Sequence, residues 1–208
     1  MNEYWDRRYQ SEGKIWGELP SPTARHALDI FRRYNVSTML VPGSGYGRNT
    51  RLFSESGLNV TGIEISATAY TMAVEFDPLS RYYNTSALDM SFLEDLFDAV
   101  YCFNVLHLFR EQDRFHFIRQ CIQRVRDKGI LYFTVFSEEE VSYGRGNEVE
   151  KDTYESKPGR PVHYFSPDDL KNHFDGLEIV DTGIVEDPED HGEGPHTHKL
   201  RYICVEKK

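Results

Sequence analysis

Three groups of residues in this 208-residue chain have the types and spacing to do chemistry. The first is Val41-Pro42-Gly43-Ser44-Gly45-Tyr46-Gly47-Arg48-Asn49, a glycine-rich turn between a short apolar run and a helix-like stretch. Glycine has no Cβ and tolerates positive φ, so such a turn lets backbone approach a ligand, and a helix N-terminus behind it supplies free N–H groups. The spacing is GxGxG, and Arg48 stands where a dinucleotide-binding fingerprint places its third glycine. The second is Glu64, 19 residues after Gly45 at the end of Val60-Thr61-Gly62-Ile63, where a carboxylate can accept hydrogen bonds from both hydroxyls of a ribose. The third is the segment 186–198, with the acids Glu186, Asp187, Glu189, Asp190 and Glu193 and the histidines His191, His196 and His198. His196 and His198 alternate and share one face if extended. Imidazole and carboxylate together are common ligands, so the segment reads either as a metal or substrate site or as a solvated polar loop.

A regular alternation of elements positions these groups. The pattern predicts a strand at 38–42, a helix at 47–56 stopped by Gly57, a strand at 59–63 and a helix at 67–76. Arg81 to Asn84 reads as a third strand and Phe97 to Phe103 as a fourth. Phe115, Ile118, Ile122 and Val125 mark the inner face of a helix, and Ile130 to Phe136 is apolar enough to be a central fifth strand. This is βαβ architecture, a parallel sheet covered on both faces. The runs Leu177 to Val185 and Leu200 to Val205 read as a closing antiparallel pair, after a capped helix that starts at Ser166. Residues 137–165 break the rhythm, with Gly144, Gly146, Pro158, Gly159 and Pro161, and read as a long functional or mobile loop. Before the first strand, Ser21 caps a helix with Pro22 at its first position and Ala27, Ile30, Phe31 and Tyr34 on its inner face. The aromatics Tyr4, Trp5, Tyr9 and Trp16 either glue this appendage to the body or roof a ligand pocket.

Composition bounds the function. A chain of 208 residues fits one domain, 1–208, with 1–36 as an N-terminal lid and 37–208 as the core. A net charge of −10 repels polyanions and makes nucleic acid a poor partner. No apolar stretch approaches a membrane span, and the N-terminus lacks a signal-peptide core, so a cytoplasmic location and no membrane partner are expected. Cys102, Cys121 and Cys204 lie far apart in apolar surroundings and read as buried, reduced thiols.

Taken together, the five β/α units, the terminal strand pair, GxGxG after the first strand and an acid ending the second resemble the class I S-adenosylmethionine-dependent methyltransferases, across essentially the whole chain. Trp16-Gly17, Pro20 and Val41-Pro42-Gly43 resemble the branch acting on small nucleophiles (thiopurine, thiol or halide), and Gly47-Arg48-Asn49 the tellurite-resistance type. The resemblance implies a Rossmann-like, doubly wound, seven-stranded α/β sheet, mostly parallel, with an antiparallel C-terminal strand and an N-terminal helical lid. It implies S-adenosylmethionine as cofactor, S-adenosylhomocysteine as product, and a small-molecule acceptor. Residue by residue, Gly43, Ser44, Gly45 and Gly47 would lie against the methionine portion, Glu64 would hold the ribose and Ile65 would pack beside the adenine. Asp89 and Met90 match the pair that meets the adenine amine, although Asp89 also reads as a helix N-cap. Asn104, Val105 and His107 would lie near the sulfonium, with His107 equally readable as a satisfied loop histidine. Pro42 departs from the pattern, since many members carry an acid there.

Methyl transfer from a sulfonium needs positioning and desolvation, and a base only when the acceptor arrives protonated. His107, Tyr9, His196 and His198 are the catalytic candidates; Tyr9, Trp16, His107, Tyr143, His163 and Tyr164 are the acceptor-pocket candidates. No resident metal is expected, with His191, His196 and His198 as the candidate ligands if one is. Two other functions compete: a nicotinamide-dependent oxidoreductase, which leaves Arg48 and Asp89-Met90 unexplained, and a non-catalytic S-adenosylmethionine-binding regulator, which needs no enclosed pocket.

Overall fold

The computed structural model describes residues 2–191 and 194–208. Helices α1 (Asn2–Glu12) and α2 (Pro22–Arg33) precede β1 (Thr38–Pro42), α3 (Arg48–Glu55), β2 (Asn59–Glu64), α4 (Ala67–Phe76), β3 (Arg81–Asn84) and β4 (Phe97–Phe103). A short 3₁₀ turn at Leu106–Leu108 leads to α5 (Glu111–Gln123) and β5 (Val125–Phe136). Then come β6 (Asn147–Glu150), β7 (Thr153–Lys157), β8 (Arg160–His163), α6 (Pro167–His173), β9 (Glu178–His191) and β10 (Gly194–Glu206).

The main sheet has seven strands in the order β3-β2-β1-β4-β5-β10-β9. β1 to β5 pair in parallel, and β10 is antiparallel to both β5 and β9. Strand β9 therefore points the same way as β1 to β5, and the β9–β10 hairpin projects past the carboxyl ends of the parallel strands. Alternation along β4 shows why both faces are covered: Val100 and Cys102 enter a core with Phe117, Cys121 and Phe133, while Ala99 and Tyr101 enter the opposite core with Phe31, Met39 and Phe53. All three cysteines are buried free thiols. Ser21, Ser66 and Ser166 cap α2, α4 and α6 by accepting from the N–H of Ala24, Ala69 and Asp169. Asp98 ties the entries of β4 and β1 together, accepting from the backbone N–H and the hydroxyls of Ser37 and Thr38. Burial alone would raise its pKa; those hydrogen bonds outweigh the desolvation and hold it well below the ordinary carboxylate value.

Four expectations need correction. Of the residues read as the inner face of α5, Phe115 is exposed and Val125 begins β5. Residues 147–163 form a small antiparallel sheet, order β6-β7-β8, where a loop was expected. Its strands are short and charged and lack apolar alternation, and their turns use Asp152 and Gly159 at positive φ. The segment 186–199 is not a connector but the outer half of the β9–β10 hairpin, whose register continues from Glu206↔Glu178 to Gly194↔His191. Tyr34 is the C-cap of α2 and is exposed, while Ala27, Ile30 and Phe31 are fully buried as the periodicity requires.

Candidate functional site

The carboxyl ends of β1 to β5 surround a cavity of about 1030 Å³. Its floor comes from the residues following each strand: Gly43 to Gly45, Ile63 to Ile65, Ser86 and Ala87, Phe103 to Val105, and Phe136. This is the size of site that encloses a cofactor together with a small molecule.

The glycine loop is bent tightly under the cavity. The N–H groups of Gly43 and Ser44 both donate to Ile63 O, at 2.8 and 3.0 Å. Gly45 N–H donates to Glu64 Oε2 at 2.9 Å, and Ser66 N–H to Glu64 Oε1 at 2.8 Å. The amides of Gly43, Ser44 and Gly45 are thus consumed within the protein, which leaves this stretch few donors for a pyrophosphate. Gly43 is required by two constraints at once: φ is +71°, and a Cβ there would stand 2.3 Å from Val105 Cγ2. Glu64 is buried, and burial raises its pKa against the lowering by the Ser66, Gly45 and Ile65 N–H groups. A carboxylate has about four acceptor positions, so two donors leave capacity for hydroxyls from the cavity.

The N-terminal segment closes the cavity from above. Asp6 on α1 accepts from Ser66 Oγ at 2.8 Å and Thr68 N–H at 2.9 Å, which seats α1 on the start of α4. Tyr9, Ile15, Tyr46 and Ala69 then form an apolar cluster with Trp5 and Trp16 at its margin. The turn after α1 is pinned to the glycine loop: Tyr46 Oη donates to Gly17 O at 2.6 Å, and Arg48 Nη1 to Trp16 O at 2.9 Å. Trp16 stacks on Tyr46 with rings 8° from parallel. Burial, reinforced by the Glu64 charge, raises the Tyr9 phenol well above its ordinary pKa, so Tyr9 is a packing and donor group rather than a base.

At the end of β4 the chain turns sharply. Asn104 takes φ +55°, uncommon for a residue with a side chain. It is held there by Asn104 N–H donating to Thr134 O at 3.1 Å and by Thr134 Oγ1 donating to Asn104 Oδ1 at 3.2 Å. That turn sets Val105 beneath Gly43 and carries His107 into the cavity wall. The His107 ring stacks on Phe136, centroids 4.3 Å apart, and its Nδ1 is buried with no hydrogen-bond partner among the described residues. Desolvation, with smaller contributions from the charges of Arg160, His198 and His163, pushes its pKa well below 6.5, which keeps the ring neutral.

The β9–β10 hairpin brings a charged wall to the cavity. Arg48, buried at the start of α3, lies 3.9 Å from Asp187 Oδ2 and 3.7 Å from Glu189 Oε1. Burial and the neighbouring Glu189 charge raise Asp187 to about 6. His198 Nδ1 lies 2.9 Å from Glu140 Oε1, and its Nε2 lies 3.6 Å from Glu189 Oε2.

Of the expected cofactor residues, Gly43, Ser44, Gly45, Glu64, Ile65, Asn104 and Val105 line the cavity and three do not. Gly47, at φ +91°, is the N-cap of α3 and packs against Tyr82 and Thr50. Asp89 is exposed and caps its own turn through Ser91, and Met90 is fully buried in the core. The turn at 86–89 brings Ser86 and Ala87 to the cavity in their place. Among the acceptor-pocket candidates, Tyr9, Trp16 and His107 line the cavity, whereas Tyr143, His163 and Tyr164 belong to the small sheet's own packing. Tyr143 Oη donates to Asp152 at 2.8 Å, Tyr164 Oη to Ser142 O at 3.0 Å, and His163 is bonded to Thr153 and Asp169. Their aromatic character pointed to a pocket that their partners had already filled. The turn of the small sheet instead presents Arg160, whose guanidinium donates to Tyr4 Oη at 2.6 Å. The adjacent Pro158-Gly159 turn was visible in the sequence; the strands that aim it were not. His196 and His198 reach the cavity, and the side chain of His191 lies outside the described residues.

This glycine loop, with the Gly43, Ser44 and Gly45 amides satisfied within the protein, and a carboxylate ending β2 on a β3-β2-β1-β4-β5-β10-β9 sheet match the fold of the class I S-adenosylmethionine-dependent methyltransferases. Residues 40–133 match the family model described as a methyltransferase domain. No curated protein matches the sequence. Similar solved structures share the fold at low identity. One, concerned with conversion of a disulfide bond into a thioacetal group during echinomycin biosynthesis, is 16% identical over 100% of this chain and 92% of its own, with a TM-score of 0.78. A Methanosarcina mazei S-adenosylmethionine-dependent methyltransferase is 18% identical over 86% of this chain and 96% of its own, TM-score 0.73. The Burkholderia thailandensis 1,6-didemethyltoxoflavin N1-methyltransferase, solved with its substrate and S-adenosylhomocysteine, is 17% identical over 100% of this chain and 87% of its own, TM-score 0.72.

Proposed function

We propose that this chain, acting as one unit with α1 as its lid, moves the methyl group of S-adenosylmethionine to a small-molecule nucleophile. The observation that carries the reading is the pairing of a glycine loop whose amides are already spent with a buried Glu64 that keeps acceptor capacity toward the cavity. That donor set fits a ribose and an uncharged approach of backbone, and it offers a pyrophosphate little. Glu64 and Ile65 would hold the nucleoside, and Gly43 to Gly45 would meet the amino-acid end. The cofactor supplies an electrophilic methyl carbon on sulfur.

The protein's part is positioning and exclusion of water. Trp5, Tyr9 and Trp16 roof the cavity, and the Tyr46 and Arg48 hydrogen bonds keep that roof in register with the loop. The turn at Asn104 places Val105 and His107 at the cavity wall. A neutral His107 is competent to take a proton from an acceptor that arrives protonated. The negative wall of Asp187 and Glu189 disfavours polyanions, as does the net charge of −10. The similar structures whose printed names give a substrate include one for a small heterocycle, which supports a small-molecule acceptor here.

The test is transfer of a labelled methyl group from S-adenosylmethionine across thiols, selenols, halides and amines. Product mass and S-adenosylhomocysteine release are read together. Acceptor-dependent release is expected, and a protein that binds S-adenosylhomocysteine yet methylates none of the classes would favour the regulatory reading.

A further inference from the structure

The hairpin histidines are not needed for any step above, yet they are built into a defined arrangement. His196 Nδ1 lies 2.8 Å from Gly194 O, a group that can only accept, so Nδ1 carries the proton. His198 Nδ1 lies 2.9 Å from Glu140 Oε1, whose other oxygen accepts from Lys199 N–H at 2.7 Å, so the same tautomer follows. Neutral rings in these tautomers present Nε2 lone pairs, and the two Nε2 atoms stand 3.1 Å apart. Two lone pairs repel at that distance, so a cation belongs between them, either a proton on one Nε2 or a metal ion. A third ligand atom converges on the same point: His198 Nε2 is 3.6 Å from Glu189 Oε2, and one ligand atom from each of Glu189, His196 and His198 falls within 4.8 Å of the others.

We propose that Glu189, His196 and His198 form a binding site for a divalent transition-metal ion of the zinc type, facing the acceptor end of the cavity. A proton bridges two atoms, whereas a tetrahedral ion gathers three and keeps a fourth position. Ligands about 2.1 Å from such an ion stand about 3.4 Å apart, between the 3.1 and 3.6 Å spacings found here. Two imidazoles and one carboxylate suit zinc by ligand type. The ring N–H bonds to Gly194 O and Glu140 supply the outer support that metal-bound histidines use to fix tautomer and orientation. Glu189, Glu140 and Asp187 outnumber the single guanidinium of Arg48 at this wall, so the local field favours a cation. All three ligand residues line the cavity that His107 also lines, and Phe136 is stacked between the rings of His107 and His198. The fourth position would take a ligating atom of the acceptor, a thiolate before others, and hold it deprotonated; this half of the inference rests on the methyl-transfer reading.

The experiment uses the full chain, stripped with a chelator and titrated with zinc alone, with S-adenosylhomocysteine stabilisation measured in parallel. Wild type takes up one equivalent, the His196→Ala/His198→Ala double variant loses that site, and Glu140→Gln weakens it by about 10- to 100-fold while leaving the ligands in place. The double variant still responds to S-adenosylhomocysteine, which shows that it folds. In the cobalt-loaded protein, 2-mercaptoethanol adds a thiolate-to-cobalt absorption band. Equal zinc uptake by wild type and the double variant overturns the site. Stoichiometric uptake without the thiolate band overturns its role toward the acceptor. Loss of the S-adenosylhomocysteine response in wild type, with zinc uptake intact, overturns the methyl-transfer reading and leaves the metal site standing.

Discussion

Substitution of Gly43 by alanine tests the geometry on which the site depends. Two costs add. At φ +71° a residue with a Cβ loses about 1–2 kcal/mol relative to glycine. The new methyl would stand 2.3 Å from Val105 Cγ2, so the wall must shift, at a typical overpacking cost of about 1–3 kcal/mol. Gly43→Ala should therefore destabilise by roughly 2–5 kcal/mol, a large share of the roughly 5–15 kcal/mol that holds a domain folded. Removing the obstructing methyls with Val105→Ala recovers the steric part and leaves the backbone part, because only the Val105 Cβ at 3.4 Å remains. Urea denaturation of wild type, both single variants and the double variant gives the coupling directly. A favourable coupling of about 1–3 kcal/mol is expected, and the double variant should regain part of its S-adenosylhomocysteine affinity. Additivity within about 0.5 kcal/mol would refute the reasoning, since it would mean that Gly43 and Val105 do not touch.

Three further outcomes follow from the site. Glu64→Gln keeps the shape but sets an amide NH₂ against one of the two N–H donors from Gly45 and Ser66, so S-adenosylhomocysteine affinity measured by calorimetry should fall about 10- to 100-fold. Because burial raises Glu64 above 4.5, its ionisation costs stability: relative to Glu64→Gln, the ligand-free wild type should lose stability as pH rises from 4.5 through the folded pKa. His107→Phe preserves the stacking on Phe136 and removes a buried, unpartnered Nδ1; stability at neutral pH should hold or rise by about 1 kcal/mol while turnover of a protonated acceptor falls about 10²- to 10⁴-fold at constant cofactor affinity. Since the folded pKa of His107 lies below 6.5, wild type should also lose stability relative to that variant as pH falls below 6.5, read from thermal unfolding. Asp98→Ala, away from the cavity, removes four hydrogen bonds from Ser37 and Thr38 together with the Arg126 ion pair, and should cost about 2 kcal/mol in urea denaturation with S-adenosylhomocysteine binding unchanged.

The parallel core was legible because its signals are local. Ser21 and Ser166 cap α2 and α6, and the apolar runs of β1, β4 and β5 need no tertiary information to be read. Gly43 and Glu64 were legible because their spacing follows the strand ends, and Val105 through the family resemblance. The small sheet was not, because Asn147–Glu150 and Thr153–Lys157 are charged strands held by cross-strand pairing rather than by an apolar face. That one gap explains the misassigned acceptor residues: Tyr143, His163 and Tyr164 find their partners in and beside the small sheet, at Asp152, at Thr153 and Asp169, and at Ser142, and Arg160 reaches the cavity because β7 and β8 aim their turn at it. At Asp89 the capping alternative is the one the structure shows, since an acid two residues before a serine satisfies a turn as readily as it meets a ligand.

Calorimetric titration of the purified chain with S-adenosylhomocysteine, with NADH as the comparison, tests the methyl-transfer reading most directly. One saturable site for S-adenosylhomocysteine is expected, matched by about 2.7 kcal/mol of added stability at 100 times the dissociation constant, and none for NADH. Binding of NADH, or no heat and no stabilisation with S-adenosylhomocysteine, would contradict it.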